Sequence, residues 1–253
     1  MKNTLIIPDL HGRTQHKDLI NKHTECQRVI YLGDYFDSWD VPYLDQINNF
    51  LDIISLKEKG DIEVIMLIGN HDFYIPNMDT NWSGYQSLYA PIIWQAIKPN
   101  LHHLQIAYRD EEYLFSHAGI SCEFINKLKF AKGFDYPENI DDIIDVLNDY
   151  LIYKPEVFNF GYFQETISCD ESGDDIWQGP TWIRPRALKM ANYDHWLKDN
   201  FIQIVGHTGV DNIDFKGKST GGRYYFVDTM HNKKFEYLTI INGELKLNKY
   251  ENN

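Results

Sequence analysis

Asp9 and His11 stand two residues apart at the end of an apolar run, in "IPDLHG". Alternate residues of an extended segment project to the same side, so this spacing aims a carboxylate and an imidazole at one point. Comparable clusters follow: Gly33-Asp34-Tyr35-Phe36-Asp37, Gly69-Asn70-His71-Asp72, His117 in "FSHAG" and His207 in "IVGHTG". Carboxylates, imidazoles and an amide oxygen together suit manganese, iron or zinc, whereas an all-oxygen set suits magnesium or calcium. Six such ligands are too many for one tetrahedral site and match two metals sharing a bridging carboxylate. Cations roughly 3.5–4 Å apart clamp a phosphoryl group and acidify the water between them, so phosphoester hydrolysis is the natural reaction. Each cluster alone has an ordinary explanation: Asp-x-His as a strand-end pair, Gly-Asp as a turn, a lone histidine as a structural one. Five in succession, each closing a separate apolar run, carry the metal-site reading.

The elements that must position these groups are legible as short runs rich in β-branched residues: 4–8, 28–33, 63–69, 112–117, 201–206 and 223–228. Such runs predict buried strands. Between them lie helical patterns, with Leu44, Ile47, Leu51 and Ile54 at three- and four-residue steps, Ile140, Ile143, Ile144 and Leu147 likewise, and a weaker pattern over 187–198. Alternating strands and helices predict an α/β architecture in which ligands gather beyond the carboxyl ends of the strands. Asn242-Gly243 between two strand-like runs predicts a hairpin, and so an antiparallel edge at the C-terminus. No repeat or Pro/Gly/Ser linker divides the chain, which is expected to form one domain over 1–253. Residues 153–181 are aromatic and acidic with weak periodicity, the pattern of a lid or insertion or of an ordinary surface excursion.

Over 253 residues, 43% hydrophobic and 24% charged composition excludes a disordered chain, and a net charge of -13 disfavours a groove for long nucleic acid. Small phosphorylated substrates stay open. Cys26, Cys122 and Cys169 are odd in number and widely spaced, which points away from a disulfide framework and towards a reducing cytoplasm. No run reaches the ~18 apolar residues of a membrane span, and "MKNTLIIPDL" is too soon interrupted for a signal peptide.

"DLHG", "GDYFD", "GNHD", "SHAGI" and "VGHT" resemble, in order and spacing, the motifs of the calcineurin-like metallophosphoesterases. "GDYFD" and "SHAGI" look most like the phosphoprotein (Ser/Thr) phosphatase branch, with its bacterial and phage members and the similar symmetrical diadenosine tetraphosphatases. The likeness runs from Asp9 to about Leu245, includes the "GRYYFVDT" strand, and leaves 153–181 uncovered. It implies a two-sheet β-sandwich flanked by helices and two divalent metal ions, manganese first, with iron, zinc or nickel as alternatives. By the same resemblance Asp9 and His11 bind the first metal, Asp34 bridges, and Asn70, His117 and His207 complete the second. His71 is the general acid, oriented by Asp37, and a metal-bridging hydroxide attacks without a covalent enzyme intermediate. The substrate implied is a phosphomonoester such as a phosphoprotein, with a small nucleotide (diadenosine tetraphosphate or a phosphodiester) as the alternative. A non-catalytic binding module is the contrasting class, disfavoured because a scaffold has no need of all six ligands.

The chain departs from that branch at one point. Arg-Gly normally follows GDxxD and the Arg grips phosphate, but Ser38 and Trp39 stand here. Arg184 in "TWIRPR" is the candidate replacement, a surface salt bridge being its alternative role. Of the neighbouring aromatics Tyr35, Phe36, Trp39, Phe73 and Tyr74, most are expected in the core and one or two free to stack on a base.

Overall fold

A computed structural model describes residues 1–76, 84–130, 139–163, 172–193 and 196–251. The first apolar run forms β1 (Thr4–Ile7), which pairs in parallel with β2 (Arg28–Tyr31), and β2 pairs in parallel with β3 (Glu63–Leu67). All four residues of β1 and of β2 are buried, as continuous apolar strands require when both faces are covered. Helices α1 (Gln15–Lys22) and α2 (Tyr43–Lys59) make the connections, and α2 stops at Gly60, whose φ of 75° lets the chain turn out of the helix.

The stripe of α2 is rotated from the one expected. Ile47 and Ile54 face inward, but Leu44 and Leu51 are 53% and 38% exposed, and Phe50 and Ile53 take the inner positions instead. α2 carries more apolar residues than one face can bury, and contact with the sheet selects which arc is covered.

After α3 (Ala90–Ile97) and the short strand β4 (Leu104–Gln105), the chain enters a second sheet: β5 (Ala107–Asp110), β6 (Tyr113–Ser116), β7 (Ile202–Val205) and β8 (Tyr224–Phe226). α4 (Cys122–Phe130) and α5 (Ile140–Tyr153) follow β6. The weak pattern over 187–198 becomes two short helices, α6 (Pro185–Ala191) and α7 (Trp196–Asn200). The chain closes on a long hairpin of β9 (Lys234–Ile241) and β10 (Glu244–Glu251), antiparallel throughout. Asn242 and Gly243 both have positive φ, 55° and 82°, the geometry that two-residue hairpins demand. Strand order is β10-β9-β1-β2-β3-β4 in one sheet and β5-β6-β7-β8 in the other.

The two sheets face each other across a core that includes Ile6, Ile30, Leu67, Phe115, Ile204 and Leu238. Neighbours along the same strands, such as Leu5, Ile7, Val29 and Met66, join a separate core shared with the helices. The period-two alternation therefore assigns one face of β1 to β3 to the sandwich and the other to the helical layer. The expected αββα architecture is present. No described helix is long and apolar enough to cross a membrane. Of the cysteines, Cys26 and Cys122 are buried, and Cys169 lies outside the described residues, as do 164–171 of the aromatic and acidic stretch.

Candidate metal centre and its cleft

Parallel β1, β2 and β3 end side by side, and β6 and β7 end opposite them, so the six residues read as ligands meet at one rim of the sandwich. The backbone there is strained. His11, Asp34, Asp37 and His207 have φ of 44°, 52°, 62° and 64°, four of the six non-glycine residues with positive φ among those described. Each costs on the order of 1 kcal/mol or more, which the surrounding structure must offset.

Asp9 is almost wholly buried. Its Oδ2 accepts a hydrogen bond from the His207 N–H at 2.8 Å, while Oδ1 is buried with no hydrogen-bond partner among the described residues. A carboxylate oxygen withheld from water without a donor is costly unless a cation faces it. Burial, then the nearby carboxylates of Asp228 and Asp34, raise its pKa well above the usual range, which is the mark of surplus negative charge. Ligand atoms of Asp9, His11 and Asp34 lie within 4.8 Å of one another.

Asp34 sits between the halves. Its Oδ1 accepts from the His71 N–H at 2.9 Å, and its Oδ2 lies 3.6 Å from His11 Nε2 and 3.4 Å from His117 Nε2. Burial alone would raise its pKa, but the imidazoles of His117, His71 and His11 outweigh burial and hold Asp34 ionised. Asn70 Oδ1 lies 3.0 Å from His117 Nε2 and 2.9 Å from His207 Nδ1. Second nitrogens are engaged by backbone carbonyls: His11 Nδ1 by Phe36 at 2.7 Å, His117 Nδ1 by Leu32 at 2.8 Å, His207 Nε2 by Trp182 at 3.0 Å. Those bonds assign the N–H to the outer nitrogen and turn the other inward, the arrangement of imidazole ligands. Burial lowers the pKa of His117 and of His207, so each gives up its proton more readily than an exposed imidazole, as a ligand must. An orphaned carboxylate oxygen, an ionised carboxylate and neutral inward-facing nitrogens fit a pair of divalent cations.

Beside this cluster, His71 Nδ1 lies 3.1 Å from Asp37 Oδ2, and the Tyr74 hydroxyl donates to Asp37 Oδ1. Burial opposes a charge on His71, but Asp34 and Asp37 prevail and its pKa is raised. His71 and Asp37 line a cleft of about 350 Å3 together with His11, Arg13, Asp228 and His231. Trp39 stands on its wall 85% exposed, whereas Tyr35, Phe36, Phe73 and Tyr74 are core. Arg184 lies beside the centre at the start of α6. Its Nη1 donates to the His207 carbonyl (3.2 Å) and Thr208 Oγ1 (3.1 Å), and its Nε to the Ser172 carbonyl (2.8 Å).

Two residues of this site escaped the sequence reading. Asp72 is buried; its Oδ2 accepts from the backbone N–H groups of Asp34 and Gly69, both at 2.8 Å, and its Oδ1 from Tyr35 N–H at 2.7 Å. It clamps the loops after β2 and β3 together, and its only signal was the fourth position of "GNHD". Asp228 closes β8 beside Asp9 and on the cleft wall. Its signal was a polar residue ending an apolar run, as at the other strand ends. A second cluster, His23, Glu25 and Cys26, also brings three ligand atoms within 4.8 Å, but His23 is bonded to Glu25 and Tyr237, and burial pushes the Cys26 thiol up to about 11.

The sequence model of the calcineurin-like phosphoesterases matches residues 2–241. No curated protein matches the chain. Among solved structures, the crystal structure of a "putative diadenosine tetraphosphatase" shares 16% identity at a TM-score of 0.49, covering 100% of this chain and 95% of that one. The solution structure of a protein from Thermotoga maritima shares 14% identity at a TM-score of 0.35, covering 99% of each.

Proposed function

The chain belongs to the calcineurin-like phosphoesterases, hydrolases of phosphoric ester bonds, and from that premise we propose that it cleaves a phosphomonoester, in the manner of a Ser/Thr protein phosphatase. The observation that carries this reading is the His71–Asp37 pair, held on a cleft wall next to the converging ligands. Asp9, His11 and Asp34 would hold one divalent cation, and Asp34, Asn70, His117 and His207 the other, manganese being our first choice. Cations there would draw charge from the phosphoryl oxygens and acidify the attacking water.

The chain's own groups supply the rest. Asp37, steadied by Tyr74, accepts the Nδ1–H of His71 and favours the imidazolium. As the phosphorus–oxygen bond breaks, the leaving alkoxide takes the Nε2 proton of His71, which is left neutral with its Nδ1–H still on Asp37. Asp72 fixes the backbone of Asp34 and so the position of the carboxylate that would serve both cations. The cleft takes a phosphoryl group and the first part of its alcohol.

A second reading has its own support. Trp39 offers an open indole face on the cleft wall, which favours a substrate with a base to stack, such as a dinucleoside polyphosphate or small nucleotide diester. We read the whole chain as one domain, with a lid or insertion at about 153–181; the bond from Arg184 to the Ser172 carbonyl supports a position near the centre for the described end of that stretch. Three cysteines, odd in number and widely spaced, support a reducing compartment such as the cytoplasm.

The test is turnover by the manganese-loaded protein of an aryl monoester, an aryl diester, phosphopeptides and dinucleoside polyphosphates, beside His71→Asn. Monoester and phosphopeptide turnover, reduced about 10²- to 10⁴-fold in kcat by His71→Asn, is the expected result. Preference for the dinucleoside polyphosphate would transfer the conclusion to the second reading. Undiminished turnover by His71→Asn would remove the proton-donor role.

A further inference from the structure

An anion entering the cleft meets a negative wall: Asp37 and Asp228 line it, and Asp9 and Asp34 lie just below, in a chain of net charge -13. Among the described residues lining that cleft, Arg13 is the one permanent cation, the others able to carry positive charge being histidines. Ser38 and Trp39, on the same wall, bring no charge.

The Arg13 guanidinium is under-used by the protein itself. Its Nη1 reaches the Leu10 carbonyl only at 3.4 Å, and its Nη2 stands 3.9 Å from Asp40 Oδ1. The first contact is long for a hydrogen bond and the second is beyond one. Asp40 is a solvent-screened side chain, so the pair contributes little to stability. By contrast, the Arg13 backbone is anchored from the interior. Its carbonyl accepts from Asn49 Nδ2 at 3.0 Å, Asn49 Oδ1 lies 2.9 Å from His16 Nε2, and His16 Nδ1 lies 2.9 Å from the Tyr31 hydroxyl. His16 and Asn49 are buried, and the chain of bonds runs from β2 through α1 and α2 to the loop carrying Arg13. A fixed backbone beneath a loosely held guanidinium is the arrangement of a side chain kept for a ligand.

We propose that Arg13 grips the non-transferred oxygens of the substrate phosphate, as a substrate-binding residue of the hydrolysis read above, on which this inference rests. The planar fork can offer two N–H groups to two phosphate oxygens at once, which an ammonium cannot reproduce with the same geometry. Because the contact exists before and during the displacement, it acts on KM more than on kcat.

Titration calorimetry of the manganese-loaded full chain with inorganic phosphate tests this directly, comparing wild type with Arg13→Met and Arg13→Lys. Arg13→Met is expected to weaken phosphate binding tenfold or more and to raise KM for an aryl monoester by a similar factor, with a smaller change in kcat. Arg13→Lys is expected to recover only part of the loss. Arg13→Gln serves in place of Arg13→Met if thermal melting shows that the methionine variant is unfolded at the assay temperature. Phosphate binding by the neutral variant within tenfold of wild type would overturn the proposal, as would a wild type that binds no phosphate. The binding comparison needs no turnover, so an inactive wild type would sink the hydrolase reading while the calorimetry still decides the role of Arg13.

Discussion

At the scale of single residues, the site depends on side chains that are missing as much as on those present. Gly206 lies so close to Asp9 that a Cβ on it would fall 1.9 Å from Asp9 Oδ1, the unpaired oxygen. Gly69 stands in the same relation to Asp34, with a Cβ 2.1 Å from Oδ1. Neither contact could be relieved by rotating a flexible tip, because the carboxylates are themselves held by backbone N–H groups. Gly206→Ala is therefore expected to displace Asp9 and to weaken binding of the first cation about 10- to 100-fold, the range seen when groups that orient ligands are lost. Metal titration of the folded variant, followed by calorimetry, measures this.

At the scale of elements, α1 and α2 are joined beneath the site by His16. Burial lowers its pKa to about 4, against about 6.5 for an exposed imidazole. As pH falls through 6.5 the unfolded chain takes up a proton that folded His16 refuses, so this residue destabilises the fold progressively between about pH 6.5 and pH 4 and adds nothing further below. The full effect is on the order of 3 kcal/mol. Denaturant midpoints at pH 7 and pH 4.5 should therefore differ by less in His16→Gln than in wild type, once the lower starting stability of the variant is subtracted. An equal difference in both would show that His16 titrates normally.

For the whole molecule, the two sheets are held together by an apolar core and, at one edge, by Arg28 of β2, which bonds Glu63 of β3 and reaches Asp110 of β5 at 2.5 Å. At the opposite rim the same sheets bring together Asp9, Asp34, Asp72 and Asp228, carboxylates that repel one another when the rim holds no cation. Cations binding only the folded chain should stabilise it, by about 2.7 kcal/mol at a hundred times the dissociation constant. Differential scanning calorimetry with manganese and after chelation is expected to show a melting temperature several degrees lower without metal. No shift would argue that the carboxylates are compensated by protonation instead.

The strands, the hairpin at Asn242-Gly243 and the order of the six candidate ligands were readable in the chain because each is local: an apolar run, a turn pair, a polar residue at a run's end. What was not readable depended on which loops meet. Leu44 and Leu51 carry the same periodicity as Ile47 and Ile54, and only contact with the sheet turned them outward. Asp72 reads as an ordinary acid until the ends of β2 and β3 place three backbone N–H groups around it, and Asp228 until the pairing of β8 with β7 brings it near Asp9. Arg184 was visible as a cation near the right motif, but the carbonyls of Ser172 and His207 that engage it come from segments far apart in the chain. The motifs at the strand ends thus carried the family resemblance, and their residue types the chemistry available there. Long-range pairing decided the burial, the left-handed backbone and the charge balance that make those groups a site, because such properties belong to neighbours that the sequence does not place next to one another.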